Sequence, residues 1–144
     1  IILIVLMNGG TADQRRSRAR SGSPAVATGP SLRAVAADAY GKAFDRRQSA
    51  LQGETYPDFS EPAPVKARFF ERYAQIEEQF RDDLLIIDFP PSVQSDANQL
   101  VRALTTYIGV LHDKASFPAT DTLAEGRAVE ASERVLGNDL WASL

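Results

Sequence analysis

Apolar side chains recur every three or four residues over most of the chain after residue 31, and this spacing limits the possible fold more than any other feature. The pattern is clearest between residues 92 and 116. There it comprises Val93, Ala97, Leu100, Leu104, Tyr107, Ile108, Leu111 and Ala115. Such steps place side chains on one stripe of an α-helix. The sequence therefore predicts an amphipathic helix over this stretch, with its stripe turned toward a core.

Three further stretches carry the same pattern and predict helices over residues 31–52, 64–88 and 122–136, the last with an alternative end at residue 144. Ser31 is a suitable N-cap, Pro64 suits a first helical turn, and Gly53 is a suitable terminator. Thr122 and Glu125 have the spacing of a capping box. The ambiguity at the end of the fourth helix arises because Gly137-Asn138 resembles a stop signal while apolar residues continue beyond it.

The second helix is predicted to turn one face outward. That face is predicted to carry Arg72, Glu77, Glu78, Arg81 and Asp82. Glu77 and Arg81, four residues apart, would form a favourable pair there. The wider acidic set of Glu77, Glu78, Asp82, Asp83 and Asp88 is interpreted as a solvated face rather than a site for a hard cation, because its spacing matches no calcium loop.

The joints between the second, third and fourth helices are short and contain Pro90-Pro91 and Pro118, so sequential helices should be antiparallel neighbours. No stretch alternates strictly between apolar and polar residues as a half-buried strand would. A chain of 144 residues is long enough for one domain. We therefore predict an all-α, antiparallel, up-down-up-down four-helix bundle over residues 31–144.

Residues 1–30 differ from the rest and predict a flexible or extended segment. They open with the apolar run Ile1–Met7 and continue with a stretch rich in Gly, Ser, Arg and Pro. Their net charge is +3, against −6 for residues 31–144. The four basic residues that could contact a membrane or an anion are Arg15, Arg16, Arg18 and Arg20.

The apolar run is typical of the end of a signal peptide or membrane anchor, with a short buried strand as the alternative. Ala25-Val26-Ala27 fits the small-x-small pattern of a cleavage site but lies far from the run, beyond the arginines. We expect an extracytoplasmic or membrane-associated protein, secreted or tethered, with a cytoplasmic location as the alternative. The negative charge overall argues against a nucleic-acid partner.

Residues that could carry catalysis are scarce. The chain has no Cys and a single His, His112, so thiolate sites and sites with several imidazoles are excluded. None of the common phosphate-binding, nucleophile or zinc motifs occurs. We predict no catalytic residue, no cofactor and no metal site, and we interpret His112 as a surface residue. The residues that could instead form an epitope for a protein partner are Tyr56, Asp58, Phe59 and Trp141. The alternative is that the three aromatic side chains pack against the bundle core.

The segment from Leu85 to Ala97 has the sequence LIIDFPPSVQSDA. It resembles a helix–Pro-Pro–helix joint found in uncharacterised secreted or lipid-anchored helical-bundle proteins of high-GC Gram-positive bacteria. The segment Arg134–Leu140 also resembles the C-terminal end of the same proteins, but more weakly. The resemblance covers about half of the chain and implies export and a helical bundle. It implies no catalytic residues, and Asn8 stands where a lipid-anchored member would carry Cys.

These observations favour a non-enzymatic helical bundle that acts through protein–protein contacts at the cell envelope. A first alternative is an envelope sensor that binds a small ligand or metal in the bundle, which would require an elongated internal cavity lined by polar groups. A second alternative is an intracellular enzyme or regulator that uses His112, which would require a cleft and a carboxylate from another helix.

Overall fold

A computed structural model describes residues 30–58, 60–118 and 123–144 of the chain, with the side chains of the last helix described from residue 128 onward. The N-terminal segment, Phe59 and the Thr122–Glu125 capping box lie outside what is described. Four helices follow in order: α1 (Leu32–Gln52), α2 (Ala63–Leu85), α3 (Gln94–Ser116) and α4 (Leu123–Ser143). The described residues contain no strand.

The helix ends follow the chemistry of their capping residues. Ser31 has an extended backbone, and its hydroxyl accepts a hydrogen bond from the Ala34 amide at 3.2 Å, as an N-cap should. Gly53 ends α1 and donates its amide to the carbonyl of Ala50. Pro64 lies in the first turn of α2, where its missing N–H has no helical partner to lose. These three predictions are confirmed.

The four helices form an antiparallel bundle in which α2 packs against α1 and α3, and α3 also packs against α4. A larger apolar cluster lies toward the end of the bundle that holds the α2–α3 joint. It includes Tyr40, Phe80, Leu84, Phe89, Leu100, Leu104 and Leu140. A smaller cluster of Ala74, Tyr107 and Leu111 lies toward the other end. The predicted bundle and the predicted stripe of α3 are both confirmed.

One helix end differs from the sequence-based expectation, and another decides between two predicted ends. α2 ends at Leu85 instead of residue 88, because Ile86–Phe89 forms the turn that leads into Pro90-Pro91, where prolines cannot continue a helix. α4 runs through Gly137-Asn138 to Ser143. Continuing the helix carries Leu140 into the core, where it is fully buried, so the longer of the two predicted ends is the observed one.

No described helix has both the length and the apolar character needed to cross a bilayer.

Candidate ligand-binding cleft

A buried ionic cluster separates the two apolar parts of the core. It consists of Arg47 from α1, Glu77 from α2 and Glu133 from α4. One guanidinium nitrogen of Arg47 lies 2.8 Å from a Glu77 oxygen and 3.1 Å from a Glu133 oxygen. The side chains are 10%, 0% and 5% exposed, respectively. Three helices are thus joined through one cation that is shared by two anions.

The placement of Glu77 corrects the predicted outward face of α2. Glu77 lies on the core side between the buried residues Ala74 and Phe80, and it pairs with Arg47 instead of Arg81. Arg81 pairs with its neighbour Asp82. The prediction was wrong because charge was taken to indicate exposure, whereas a buried carboxylate is tolerated when a cation from another helix reaches it.

The ionic cluster shifts the pKa values of its members. Burial raises the pKa of Glu77, Arg47 offsets only part of that rise, and the negative charges of Glu133 and Glu130 add to it. Burial opposes the charge of Arg47, but the two carboxylates outweigh it and raise the pKa of its guanidinium. One Glu77 oxygen and the Nε of Arg47 have no hydrogen-bond partner within the described residues. The cluster is therefore only partly satisfied.

A cleft of about 790 Å³ opens between α1 and α4, and Arg47 and Glu133 line it. Its aromatic lining consists of Tyr40 and Phe44 from α1, Tyr73 from α2 and Trp141 from α4. Asp45, Glu130 and Arg134 add further charge. Ligand pockets in proteins usually occupy roughly 300–1,000 Å³ and combine apolar walls with a few fixed polar groups. This cleft has both properties.

The aromatic end of the cleft is where α1 and α4 approach closely. The Tyr40 hydroxyl donates to the Gly137 carbonyl at 3.2 Å, and the ring centroids of Tyr40 and Trp141 are 5.7 Å apart. A Cβ atom added at Gly137 would lie 3.4 Å from the Tyr40 oxygen, an ordinary contact, so this approach does not require glycine. Burial, followed by the charge of Glu133, raises the pKa of Tyr40 to about 12, and the phenol stays protonated as a donor.

His112 lies on another face of the molecule. Its Nδ1 is 3.3 Å from a Glu71 oxygen and its Nε2 is 3.2 Å from a Glu78 oxygen, both on α2. The imidazole side chain is 41% exposed and does not line the cleft between α1 and α4. Within the described part of the chain, no group of three or more metal-ligating side chains could hold a metal ion.

Two residues of the predicted partner epitope, Tyr56 and Trp141, lie in different parts of the described bundle. Tyr56 is 55% exposed beside Phe69 at a ring-centroid distance of 5.0 Å, and the neighbouring Asp58 is exposed. Trp141 is also 55% exposed, but it lies beside Tyr40, about 18 Å along α1 from the joint that holds Tyr56. The arginines at 15, 16, 18 and 20 and Phe59 lie outside the described residues. The epitope and the membrane or anion contact stay predictions.

Sequence reasoning did not bring together Arg47, Glu77 and Glu133. A signal was present, since Glu77 falls between Tyr73 and Phe80 at the four- and three-residue steps of the apolar stripe of α2.

Comparisons of the chain with protein-family models, curated proteins and solved structures gave no significant match. The resemblance of residues 85–97 stays a prediction, and function is argued from the geometry of the cleft.

Proposed function

We propose that this chain is a non-enzymatic binding protein that holds a small organic molecule in the cleft between α1 and α4. The cleft itself, with aromatic walls and a fixed ionic floor, is the observation that carries the proposal. The cleft supports the ligand-binding alternative through its charged lining, but it opens to the surface, whereas the sequence-based alternative called for an internal cavity. A binding role is thereby favoured over a role through protein contacts alone.

Binding is favoured over catalysis by the position of the most perturbed carboxyl group. A buried glutamate with a raised pKa is a frequent general acid or base. Glu77, however, is fully buried behind Arg47 and does not line the cleft. Burial raises its pKa, and the ion pair with Arg47 offsets only part of that rise, so the shift reflects a structural position, and Glu77 has no access to a ligand in the cleft. His112 has neighbouring carboxylates, but it does not line this cleft.

An NMR fragment screen tests the proposal, with glycine amides as site markers. Gly41 and Gly137 line the cleft, whereas Gly53 and Gly109 lie elsewhere. We expect some fragments from a set of mixed charge to shift the amide signals of Gly41 and Gly137 and to leave those of Gly53 and Gly109 in place. A screen in which no fragment shifts the cleft glycines, or in which all four respond alike, would contradict the proposal.

A blocking variant supplies the matched control. A Cβ added at Gly41 would lie 3.6 Å from the Trp141 ring, an ordinary contact, so a longer side chain at this position would extend into the cleft. We expect Gly41→Leu to abolish the fragment shifts. Gly109→Leu adds the same side chain where nothing lies within 4 Å and should leave the shifts unchanged.

A role in protein contacts is the second candidate, and two exposed apolar side chains favour it. Leu85 and Ile86, at the end of α2, are 62% and 83% exposed. Exposed apolar side chains at such a position suit a contact with another protein. A photo-cross-linker placed at Ile86 in the native host should give a discrete adduct, whereas one at the exposed residue Thr105 should not. Equal adducts at both positions would count against this role.

The expected extracytoplasmic or membrane-associated location remains part of the proposal. It is supported by the apolar run Ile1–Met7 and the arginine-rich stretch after it. Fractionation of the native host, followed by N-terminal sequencing of the mature protein, tests it. Recovery in the cytosol with the apolar run intact would contradict export.

A further inference from the structure

The charged side chains that line the cleft favour a ligand of one charge over a ligand of the other. Asp45, Glu130 and Glu133 contribute three carboxylates, against the two guanidinium groups of Arg47 and Arg134. Both guanidinium groups are already paired, Arg47 with Glu77 and Glu133, and Arg134 with Glu130 at 3.2 Å. An anionic ligand would have to break one of these pairs or lie beside unneutralised carboxylates. A cationic ligand leaves the buried Arg47 pairs in place and competes only for the solvent-exposed Arg134–Glu130 pair, which contributes little.

The carboxylate of Asp45 adds to this asymmetry. Asp45 lies on the same helix as Arg47 and Phe44 and lines the cleft, and no hydrogen bond to its side chain occurs among the described residues. The Glu77 carboxylate lies directly behind Arg47, is fully buried and has one unpartnered oxygen. The region around the cleft therefore holds more negative than positive charge, and part of that charge is shielded from water.

The aromatic walls of the cleft also favour a positively charged ligand. Tyr40, Phe44 and Trp141 form a connected set, with ring-centroid distances of 6.4 Å for Tyr40–Phe44 and 5.7 Å for Tyr40–Trp141. Aromatic faces are electron-rich and attract organic cations, Trp most strongly. A contact of this kind already occurs in the ionic cluster, where the Arg47 guanidinium carbon lies 5.0 Å from the centroid of the Phe80 ring.

We infer that the ligand of this cleft is an organic cation with an apolar body, an amine or a quaternary onium ion, held between the aromatic rings of Tyr40, Phe44 and Trp141 and the carboxylates of Asp45 and Glu130. The inference rests on the proposed function and names the chemical class of its ligand. The rings would receive the apolar body, and the carboxylates would neutralise the charge without disturbing the Arg47 pairs.

Three probes of similar shape and different charge test the sign. Tetraphenylphosphonium is a cation, triphenylphosphine oxide is neutral, and tetraphenylborate is an anion. Trp141 is the single tryptophan of the chain, so quenching of its fluorescence reports binding at the cleft. We expect the phosphonium ion to bind at least ten-fold more tightly than the neutral probe, and the borate to bind most weakly.

Matched variants test the carboxylates. Glu130→Gln and Asp45→Asn should each weaken phosphonium binding about three- to ten-fold and leave binding of the neutral probe unchanged. Asp113→Asn removes the same charge from an exposed position on α3 and should change neither. Unchanged phosphonium binding in both cleft variants would overturn the inference.

The outcomes separate this inference from the proposed function. Equal or tighter binding of the neutral or anionic probe, with Trp141 quenched, would overturn the cationic ligand while supporting the cleft as a binding site. Binding of none of the three probes would overturn the inference as well, and the fragment screen would then decide the proposed function independently.

Discussion

Gly109 lies in the interior of α3, on the exposed side of the helix, and no neighbouring group lies within 4 Å of the position that a Cβ atom would occupy. Glycine in a helix interior is less favourable than alanine because it loses more backbone entropy on folding. We expect Gly109→Ala to raise the free energy of unfolding by about 1 kcal/mol, measured by urea denaturation. Gly137→Ala, whose Cβ would touch the Tyr40 hydroxyl, should gain less. A destabilised Gly109→Ala variant would mean that this face of α3 is covered.

His112 makes stability depend on pH. Its hydrogen bond to Glu78 is the largest influence, and with Glu71 it outweighs desolvation and raises the pKa of the imidazole above 6.5. Because the protonated form is favoured in the folded state, the stabilisation is complete below about pH 6.5 and is lost as the pH rises through the raised value. The imidazole is well exposed, so the effect is below about 1 kcal/mol.

The comparison of two variants checks this dependence. His112→Gln should lower the free energy of unfolding slightly at pH 6 and leave it unchanged at pH 8.5. In the otherwise native chain, Glu78→Gln should remove most of the change in the free energy of unfolding that the imidazole causes between pH 6 and pH 8.5. Parallel stability curves for the native chain and His112→Gln across this range would show that the imidazole pairs contribute nothing.

At the level of helices, the ionic cluster fixes how α1, α2 and α4 align. A buried ion pair adds little net stability, but removing one member leaves the other charges buried without a partner. We expect Arg47→Met to lower the free energy of unfolding by about 3–5 kcal/mol. Arg46→Met is the matched control: Arg46 is 60% exposed and pairs with Asp83, so its loss should change stability by less than about 1 kcal/mol.

A variant that lacks the whole ionic cluster distinguishes the effect of the cluster on helix alignment from its effect on the free energy of unfolding. Arg47→Met combined with Glu77→Leu and Glu133→Leu removes every unpaired charge and should recover most of the loss. We expect this triple variant to fold with a less uniquely defined position of α1, visible as broadened NMR signals in that helix. If the Arg47→Met and Arg46→Met variants had equal free energies of unfolding, Arg47 would not hold the cluster together.

The helices could be predicted from the sequence because their periodicity and caps are local properties. Ser31, Gly53 and the stripe around Leu104 determine structure over a few residues each, and all three behave as predicted. The cleft could not be predicted, because it depends on which side chains three separate helices bring together. Arg47 and Glu133 are 86 residues apart in the chain, and neither has a local pattern that marks it as buried.

Across the whole molecule, the described core is distributed unevenly. α1 buries three apolar side chains, Ala36, Tyr40 and Ala43, whereas α3 buries six. Regions with few buried apolar contacts open at lower free energy than the rest of a domain. We expect amide hydrogen exchange in α1 to be faster than in α3, and tetraphenylphosphonium to slow exchange in α1 and α4, which line the cleft, more than in α3. Uniform protection in both helices would contradict this view of α1.

One contact between α1 and α4 has a consequence for protein engineering. The Nε of Arg33 donates to the carbonyl of Leu144 at 2.7 Å, so residues far apart in the chain meet at one end of the bundle. A short artificial linker from residue 144 to residue 31 could therefore close the helical region into a ring. Cutting that ring within residues 54–62 would yield a circular permutant that starts with α2, keeps Arg47 and Glu133 facing each other, and ends with α1.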